Sequence, residues 1–351
     1  MKTLFSAIAT LVLSCATLFA APAVEELENS QFKVSIGDVA MIVDAAHGGK
    51  ILSFTYQGTE IISQMTRVNS FGSTFWTSPQ AEWNWPPVPE YDNLPYSVEE
   101  QGTTLKLKGQ VSERYKYRIC KEFYPDPVDN AIVVTYTIIN ESDQERQVAP
   151  WEITRVPNDG VVFFQAPIEA ISPADLLPFH FMNGIALYAA DSSERNRKIN
   201  ANGKGWYVFA NEGLMLMKRF QDLEEGEEAP REAEIQVYVN EGKTFMELEC
   251  QGPYTTLKPG ESLHWSVRWY LMPMNGPGIP GMGPGMPGMG PGGPGMGPGG
   301  PGGRPGRPGG APGQRPGGRP GGPGMPGMGP GMGSSGPGTG SNSGLGQSRQ
   351  Q

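Results

Sequence analysis

The stretch Leu263-His-Trp-Ser-Val-Arg-Trp-Tyr-Leu271 alternates large apolar side chains with polar ones. Successive side chains of a β-strand point to opposite faces, so this spacing places every second residue on one side. The apolar side consists of Leu263, Trp265, Val267, Trp269 and Leu271. The alternation therefore predicts a strand with one face in a hydrophobic core and the other toward solvent.

The rest of the region 24–274 has the same character. Ala131–Ile139 is apolar, aromatic or β-branched throughout, which predicts a central strand covered on both faces. Turn-forming pairs such as Gln57-Gly58 separate the other short apolar runs, and no long run keeps a helical period. The other predicted strands are Phe32–Ile36, Ala40–Asp44, Ile51–Tyr56, Thr104–Lys108, Tyr115–Phe123, Val161–Phe164, Trp206–Ala210, Leu214–Arg219, Ile235–Asn240 and Lys243–Cys250. The pattern predicts one all-β domain over 24–274, an antiparallel sandwich.

The N-terminus has the features of a secretory signal peptide. Lys2 is followed by an apolar run over 4–19 and by the small residues Ala20-Ala21-Pro22-Ala23. We therefore exclude residues 1–23 from the fold and predict a secreted or periplasmic protein. Cleavage as a lipoprotein at Cys15 is disfavoured, because the apolar run continues past it. No second apolar run of similar length follows, so no transmembrane anchor is predicted.

The C-terminal segment 275–351 differs sharply in composition from the rest. It contains 33 of the 49 glycines and 17 of the 34 prolines. Such a segment lacks the apolar surface needed to offset its ordering entropy, so we predict a disordered tail. Its five arginines and Lys2 are the basic residues outside the domain, which leaves 21 basic against 36 acidic residues within it. An acidic domain disfavours nucleic acid as a partner.

Three tryptophans lie close together in Phe71-Gly-Ser-Thr-Phe-Trp-Thr-Ser-Pro-Gln-Ala-Glu-Trp-Asn-Trp-Pro-Pro87. The surrounding sequence is polar, rich in proline and loop-like. Trp76, Trp83 and Trp85 have two interpretations: a small local core beneath the loop, or flat platforms for the apolar faces of sugars. Gln80 and Glu82, between the indoles, have the polar reach for sugar recognition and equally well cap turns.

Three blocks resemble the galactose mutarotase-like superfamily of β-supersandwich, sugar-handling domains. Gly48–Ile62 is similar to its opening hairpin, Ile132–Asn140 to its long central strand, and Glu247–Glu261 with the following strand to its closing pair. The Phe71–Pro87 block, Pro150–Pro157 and Glu247–Trp269 together resemble an uncharacterised bacterial family within it, a domain of unknown function. The resemblance covers roughly residues 30–273 and implies an antiparallel β-supersandwich.

The enzymes of that superfamily open a sugar ring with a Glu base and a His acid, because one proton leaves as another arrives. Glu249 is similar in position to the base, and a solvated strand carboxylate is the alternative interpretation. Where the family has its His, this sequence reads Pro150-Trp-Glu-Ile153, with no His. Glu152 replaces that acid only if burial raises its pKa. His47, His180 and His264 are each interpreted as hydrogen-bonded structural residues.

Two arginines complete the predicted ligand-binding set. Arg155 and Arg67 each suit a two-pronged hydrogen bond to sugar hydroxyls or a carboxylate, with structural ion pairs as the alternative. No metal-ligand spacing, phosphate loop or nucleophile motif is present, so no metal or cofactor is predicted. The set consists of Trp76, Trp83, Trp85, Arg155, Glu152 and Arg67, with Glu249 as the catalytic candidate.

The first hypothesis for function is an exported carbohydrate- or glycan-binding domain. An aldose 1-epimerase-like enzyme that uses Glu249 is the alternative, and an inert structural envelope protein with a contact-making tail is the second alternative. The sequence leaves open the particular sugar, the oligomeric state and a disulfide between Cys120 and Cys250.

Overall fold

Nearly all regular structure in the protein is β-strand. The computed structural model describes residues 23–65 and 70–275. Its helical elements are one short helix, α1 (Pro89–Asp92), and four 3-10 turns, Glu28–Ser30, Gln80–Glu82, Ile168–Ala170 and Glu241–Lys243. The strands in chain order are β1 (Ala23–Glu26), β2 (Gln31–Ile36), β3 (Val39–Asp44), β4 (Lys50–Tyr56), β5 (Thr59–Glu60), β6 (Gln64–Met65), β7 (Ser70–Phe71), β8 (Ser73–Ser78), β9 (Ser97–Gln101), β10 (Leu105–Val111), β11 (Tyr117–Asp126), β12 (Ala131–Asn140), β13 (Arg146–Pro157), β14 (Val161–Gln165), β15 (Ile171–Ser172), β16 (His180–Met182), β17 (Ile185–Ala189), β18 (Arg197–Ala201), β19 (Trp206–Asn211), β20 (Leu214–Arg219), β21 (Ile235–Val239), β22 (Phe245–Gln251), β23 (Thr255–Leu257) and β24 (Ser262–Pro273).

These strands form two large antiparallel sheets. In the described residues the first sheet has 12 strands in the order β1-β2-β3-β4-β8-β13-β22-β21-β18-β15, with β5 on β4 and β23 on β13. The second has 10 strands in the order β16-β17-β14-β19-β20-β24-β12-β11-β10-β9. Strands β6 and β7 pair with each other in a separate two-stranded sheet. This arrangement confirms the predicted all-β antiparallel sandwich.

The hydrophobic core lies between the two sheets and is rich in aromatic side chains. Phe75 of the first sheet stacks on Tyr136 of the second with ring centroids 4.1 Å apart. Phe54 meets Trp269 edge-on at 5.2 Å. The apolar face of β24 is buried against the first sheet, as predicted. Burial of this face is the main driving force for joining the two layers. The opposite face is exposed at His264 and Ser266, but Tyr270 is buried in a second cluster, so the prediction of a solvent-facing side is wrong at that end of the strand.

The prediction for the long central strand is correct in position and only partly correct in burial. β12 lies between β11 and β24, as expected of a central strand. Its outer face is buried at Val133, but Thr135, Thr137 and Ile139 are only half-buried. Full coverage of both faces is therefore wrong for the second half of this strand. Thr135 and Thr137 instead bond to Ser266 and His264 on the outer face.

Two central strands, β8 and β13, are not predicted by the sequence pattern. The expectation that Trp76 lies on a loop is wrong, because Ser73–Ser78 pairs with β13 in the middle of the first sheet. Strand β13 carries polar residues on its core-facing side, at Glu152 and Thr154. Polar residues on an inward face hide the alternation from which strands are recognised.

A fully buried ion pair joins the two sheets. Lys218 of β20 contacts both Glu152 and Thr154 of β13, and its ammonium lies 3.4 Å from the centre of the Trp269 ring. Tyr136 donates its hydroxyl hydrogen to the other carboxylate oxygen of Glu152. Lys218 and Glu152 have no side-chain exposure. Each charge is therefore tolerated in the core only because the other is present.

Several sequence predictions fall on residues that the structure does not describe. The predicted signal peptide, almost all of the predicted tail and Arg67 lie outside the described residues, so the limits 1–23, 24–274 and 275–351 stay predictions. No described helix is long and apolar enough to cross a membrane. Cys120 and Cys250 are free, one in each large sheet.

The buried ion pair leads to a stability prediction. Lys218→Met leaves Glu152 buried without its cation, and we expect the free energy of unfolding to fall by ~3–5 kcal/mol. The double variant Glu152→Leu/Lys218→Met removes both charges and should recover most of that loss. Urea unfolding followed by tryptophan fluorescence measures both. A double variant less stable than the single one would contradict this account.

Candidate functional site

A pocket of about 760 Å³ opens on the side of the first sheet that faces away from the core. Strands β8, β13, β22, β21 and β18 form its floor, and the segment after β8 forms one wall. Its lining residues are Lys50, Trp76, Gln80, Trp85, Pro86, Pro87, Pro89, Asp92, Asn93, Trp151, Arg155, Lys198, Tyr238, Phe245, Glu247 and Glu249. The volume lies in the range typical of small-molecule sites.

Strand register brings the floor residues together. Trp76 of β8 lies opposite Trp151 of β13, and Arg155 of β13 lies opposite Glu247 of β22. Glu247 in turn lies opposite Tyr238 of β21. These side chains share one face because strand residues two apart point the same way. The floor is therefore a row of cross-strand neighbours rather than a collection of loop residues.

The tryptophans form a cluster of perpendicular rings at one end of the pocket. Trp76 packs edge-on against Trp83, Trp85 and Trp151 at centroid distances of 5.5, 6.3 and 5.4 Å. Trp76, Trp83 and Trp151 are buried, whereas Trp85 is 71% exposed. Both interpretations of the tryptophan block thus describe part of it: a small core at Trp76 and Trp83, and an open ring at Trp85.

The indole N–H groups of the three buried rings all have protein acceptors. Trp76 donates to Asp92 Oδ1 at 2.8 Å, Trp83 to the Thr77 carbonyl at 2.9 Å, and Trp151 to Glu249 Oε2 at 2.8 Å. Buried Trp is normally held in this way. The bonds fix the orientation of each ring and couple the aromatic end of the pocket to its charged residues.

Glu249 is the most deeply buried acid of the pocket, with 1% exposure. Its Oε2 accepts hydrogen bonds from Trp151 and from Lys198 Nζ, the latter at 2.9 Å. Its Oε1 accepts none from the described residues. Burial raises the pKa of Glu249 to about 7, against the opposing effect of the Lys198 charge. This carboxyl is therefore able to gain or lose a proton near neutral pH.

Arg155 is held by a carboxylate and an aromatic ring. Its Nε donates to Glu247 Oε1 at 3.0 Å, and its guanidinium lies 5.9 Å from the Trp76 ring centre. Arg155 is only 7% exposed. The structural ion pair foreseen as an alternative is present, and Arg155 also lines the pocket.

Asp92, at the end of α1, ties the wall to the floor. Its Oδ1 accepts hydrogen bonds from Trp76 and from Thr74, both at 2.8 Å. Gly48 in the β3–β4 turn lies directly beneath this helix, where a Cβ would approach the Asp92 carbonyl oxygen to 2.3 Å. Gly48 also has a positive φ of 68°. Only glycine suits both requirements at this contact.

The pocket brings together some of the predicted site residues and leaves out others. Trp76, Trp85, Arg155 and Glu249 line it, while Trp83 supports it from behind. Glu152 points into the core and pairs with Lys218, so it is not available to a ligand in this pocket. Gln80 lines the pocket, whereas Glu82 lies in a separate shallow one.

None of the histidines lines the pocket. His47 bonds to Asp44 at 2.9 Å, His264 bonds to Thr137 on the outer face of the second sheet, and His180 is exposed on β16. The described residues contain no group of three or more His, Cys, Asp or Glu arranged for a metal ion.

Several pocket residues were not identified from the sequence, among them Trp151, Lys50, Asp92 and Lys198. The place of Trp151 could have been predicted from its spacing to Arg155, since residues 151, 153 and 155 share a face on any strand. Lys50, Asp92 and Lys198 have no comparable signal. They reach the pocket through strand pairing and a loop contact between segments far apart in the chain.

The architecture is similar to that of several solved bacterial proteins. A galactose mutarotase-like protein from Lactobacillus casei ATCC 334 has a TM-score of 0.52 and 12% identity, over 69% of this chain and 100% of its own. A protein from Synechocystis sp. PCC 6803 has a TM-score of 0.51 and 14% identity, over 71% and 97%. A TPR-domain containing protein from Parabacteroides distasonis ATCC 8503 has a TM-score of 0.53 and 12% identity, over 73% of this chain and 49% of its own.

The fold is that of the galactose mutarotase-like proteins. This confirms the fold implied by the resemblance, and at these identities the likeness defines the fold alone. No model of a known protein family and no curated protein matches the chain. The narrower resemblance to an uncharacterised bacterial family therefore stays a prediction.

The raised pKa of Glu249 predicts a pH dependence of stability. Its folded pKa of about 7 exceeds the ordinary 4.5, so the folded state holds the proton more tightly than the unfolded state. The resulting stabilisation is complete below about pH 4.5 and is lost as the pH rises through 7. We expect the unfolding free energy of the wild type, relative to Glu249→Gln, to fall by up to about 3 kcal/mol over this range. Parallel stability curves for the two proteins, from urea unfolding at several pH values, would exclude this assignment.

Proposed function

We propose that the protein binds a carbohydrate in the pocket on the first sheet. One observation carries the proposal: the exposed ring of Trp85 forms a wall of the same cavity as Arg155 and Glu249. Trp85 is 71% exposed and so presents a flat, rigid apolar surface to the cavity, beside the buried ring of Trp76. Stacking on a ligand would cover that surface.

The chemistry of the lining suits a sugar. A pyranose ring presents apolar C–H groups on its faces and hydroxyls around its edge. Aromatic rings bind such faces, and charged groups bind the hydroxyls through strong hydrogen bonds. Trp85 and Trp76 supply the aromatic part, while Arg155, Lys198 and Glu249 supply the polar part. The galactose mutarotase-like fold supports the same assignment.

The polar groups of the pocket favour binding over catalysis. Ring opening needs a base and an acid on opposite sides of the sugar. Glu249 suits the base, but its nearest cation, Lys198, bonds to the same carboxylate. The three histidines lie elsewhere. A non-catalytic binding site therefore needs no group beyond those already present.

An aldose 1-epimerase-like activity is the second candidate function. It is favoured by the burial of Glu249, which raises its pKa to about 7 and suits proton exchange near neutrality. Glu249 would take the proton of the anomeric hydroxyl, and Lys50 would give one to the ring oxygen. Burial lowers the pKa of Lys50, which makes its ammonium a stronger acid than a free lysine.

Export and any envelope role of the C-terminal segment stay predictions, because residues 1–22 and 276–351 lie outside the described part of the chain. A signal peptide and a spacer-like tail are compatible with a protein that meets glycans outside the cytoplasm. N-terminal sequencing of the mature protein would test the predicted cleavage near residue 20 or 23.

The proposal predicts a specific loss of sugar binding. Trp85→Ala removes the exposed platform, and we expect affinity for the bound sugar to fall about tenfold, or ~1.4 kcal/mol. Stability should change little, because the ring is mostly in water. Calorimetry against a sugar selected on a glycan array measures the effect.

Phe181→Ala is the matched control, since Phe181 is an exposed aromatic that lines a different pocket. It should bind as the wild type does. Absence of sugar binding at millimolar concentration, or equal binding by wild type and Trp85→Ala, would rule out this site.

The enzymatic candidate makes a separate prediction. If Glu249 is the base, Glu249→Gln should slow mutarotation of a freshly dissolved aldose by at least about 100-fold. Polarimetry follows the reaction directly. A wild-type rate equal to that of buffer would remove the enzymatic candidate and leave the binding proposal in place.

A further inference from the structure

The pocket contains three cationic side chains, and they differ in their partners. Lys198 bonds to Glu249 at 2.9 Å, and Arg155 bonds to Glu247 at 3.0 Å. Lys50 forms no ion pair and no side-chain hydrogen bond with any described residue. Its ammonium makes a cation–π contact with the Phe71 ring, whose centre lies 5.1 Å away.

Lys50 is also nearly buried. It begins β4, where it pairs with Asp44 of β3, and only 7% of it is exposed. Its neighbour Ile51 faces the core, so Lys50 points to the opposite face of the sheet, into the pocket. Lys50 is thus nearly buried, and its ammonium lines the pocket without an ion-pair partner.

The acids nearby do not supply the missing partner. Asp92 lines the same pocket, but its Oδ1 already accepts bonds from Thr74 and Trp76. Asp44 bonds to His47 and to the Ala46 backbone. Neither carboxylate lies within ion-pair distance of Lys50. Burial lowers the pKa of Lys50, the charges of Asp92 and Asp44 act against this effect from a distance, and the charge of Arg155 adds to it.

A buried ammonium without a partner is costly, because it has lost water and gained no anion in return. Lys50 lines the pocket, so an anionic group of a ligand bound there would lie beside its ammonium. The missing component is therefore an anion at this end of the pocket.

We propose that the ligand is an acidic sugar, a uronic acid or a uronate-containing glycan, whose carboxylate pairs with Lys50. This inference rests on the proposed carbohydrate binding and names the class of sugar. One unpaired cation matches the single charge of a carboxylate, whereas a sugar phosphate carries about −1.5 to −2 near neutral pH. The ion pair would keep Lys50 protonated and so make it a binding group rather than a proton donor.

Calorimetry of the full chain with two matched series tests this inference. One series is galactose, galacturonate and galactose 6-phosphate, and the other is glucose, glucuronate and glucose 6-phosphate. In a series that binds, we expect the uronate to bind at least about tenfold more tightly than the neutral sugar, or ~1.4 kcal/mol. The phosphate should bind more weakly than the uronate.

Variants of Lys50 locate the effect. Lys50→Met keeps the apolar stem and should abolish the preference for the uronate by weakening uronate binding at least about tenfold, or ~1.4 kcal/mol. Lys50→Arg should retain the preference. Lys106→Met is the control, since Lys106 lies on the second sheet and pairs with Glu100. If Lys50→Met does not fold, the wild type alone still tests the ion pair: added salt should weaken uronate binding and leave neutral-sugar binding unchanged.

The outcomes separate this inference from the proposed function. Neutral-sugar binding as tight as uronate binding overturns the inference and leaves the carbohydrate site in place. A uronate preference that survives in Lys50→Met, or phosphate binding tighter than uronate binding, also overturns it. Absence of binding by all six sugars overturns the inference together with the assignment of this pocket to these hexose classes.

Discussion

Strand β13 has to satisfy two environments at once. Its core-facing side carries Glu152 and Thr154, which Lys218 holds from the opposite sheet, and its pocket-facing side carries Trp151 and Arg155. A shift by one residue would exchange the two sets, placing an arginine in the core and an unpaired carboxylate in the pocket. The internal ion pair therefore does more than join the sheets, because it sets the register on which the pocket depends.

Sequence patterning predicts the fold class and 12 of the 24 described strands, because strands such as β24 bury an uninterrupted apolar face. Among the central strands it fails at β8 and β13, where Ser73, Glu152 and Thr154 interrupt the apolar residues of the inward face. Their partners come from distant positions in the chain, and no local pattern reveals them. Two strands that form the floor of the candidate pocket are therefore hard to predict from the sequence. Polar groups in a core need partners that only the folded chain supplies.

The candidate site was predictable to a similar degree. The tryptophan block, Arg155 and Glu249 meet in one pocket, and each stands out by residue type or by its spacing on a strand. Glu152 has the opposite orientation because it immediately follows Trp151. Lys50, Asp92 and Lys198 become part of the site only through tertiary contacts, so their charges could not be assigned to it beforehand. The electrostatic character of the pocket is consequently a property of the fold rather than of any sequence motif.

The hydrogen bonds of the tryptophan cluster affect how selective the pocket can be. Each of the indoles of Trp76, Trp83 and Trp151 donates its single N–H to a protein acceptor. These three rings retain flat surfaces but have no N–H left for a ligand. In the proposed carbohydrate site, directional hydrogen bonds to hydroxyls must therefore come from the charged residues of the pocket. Changes at Lys50, Arg155 or Lys198 would alter this hydrogen bonding and leave the acceptors of the three indoles in place, whereas changes at Asp92 or Glu249 would also release a ring.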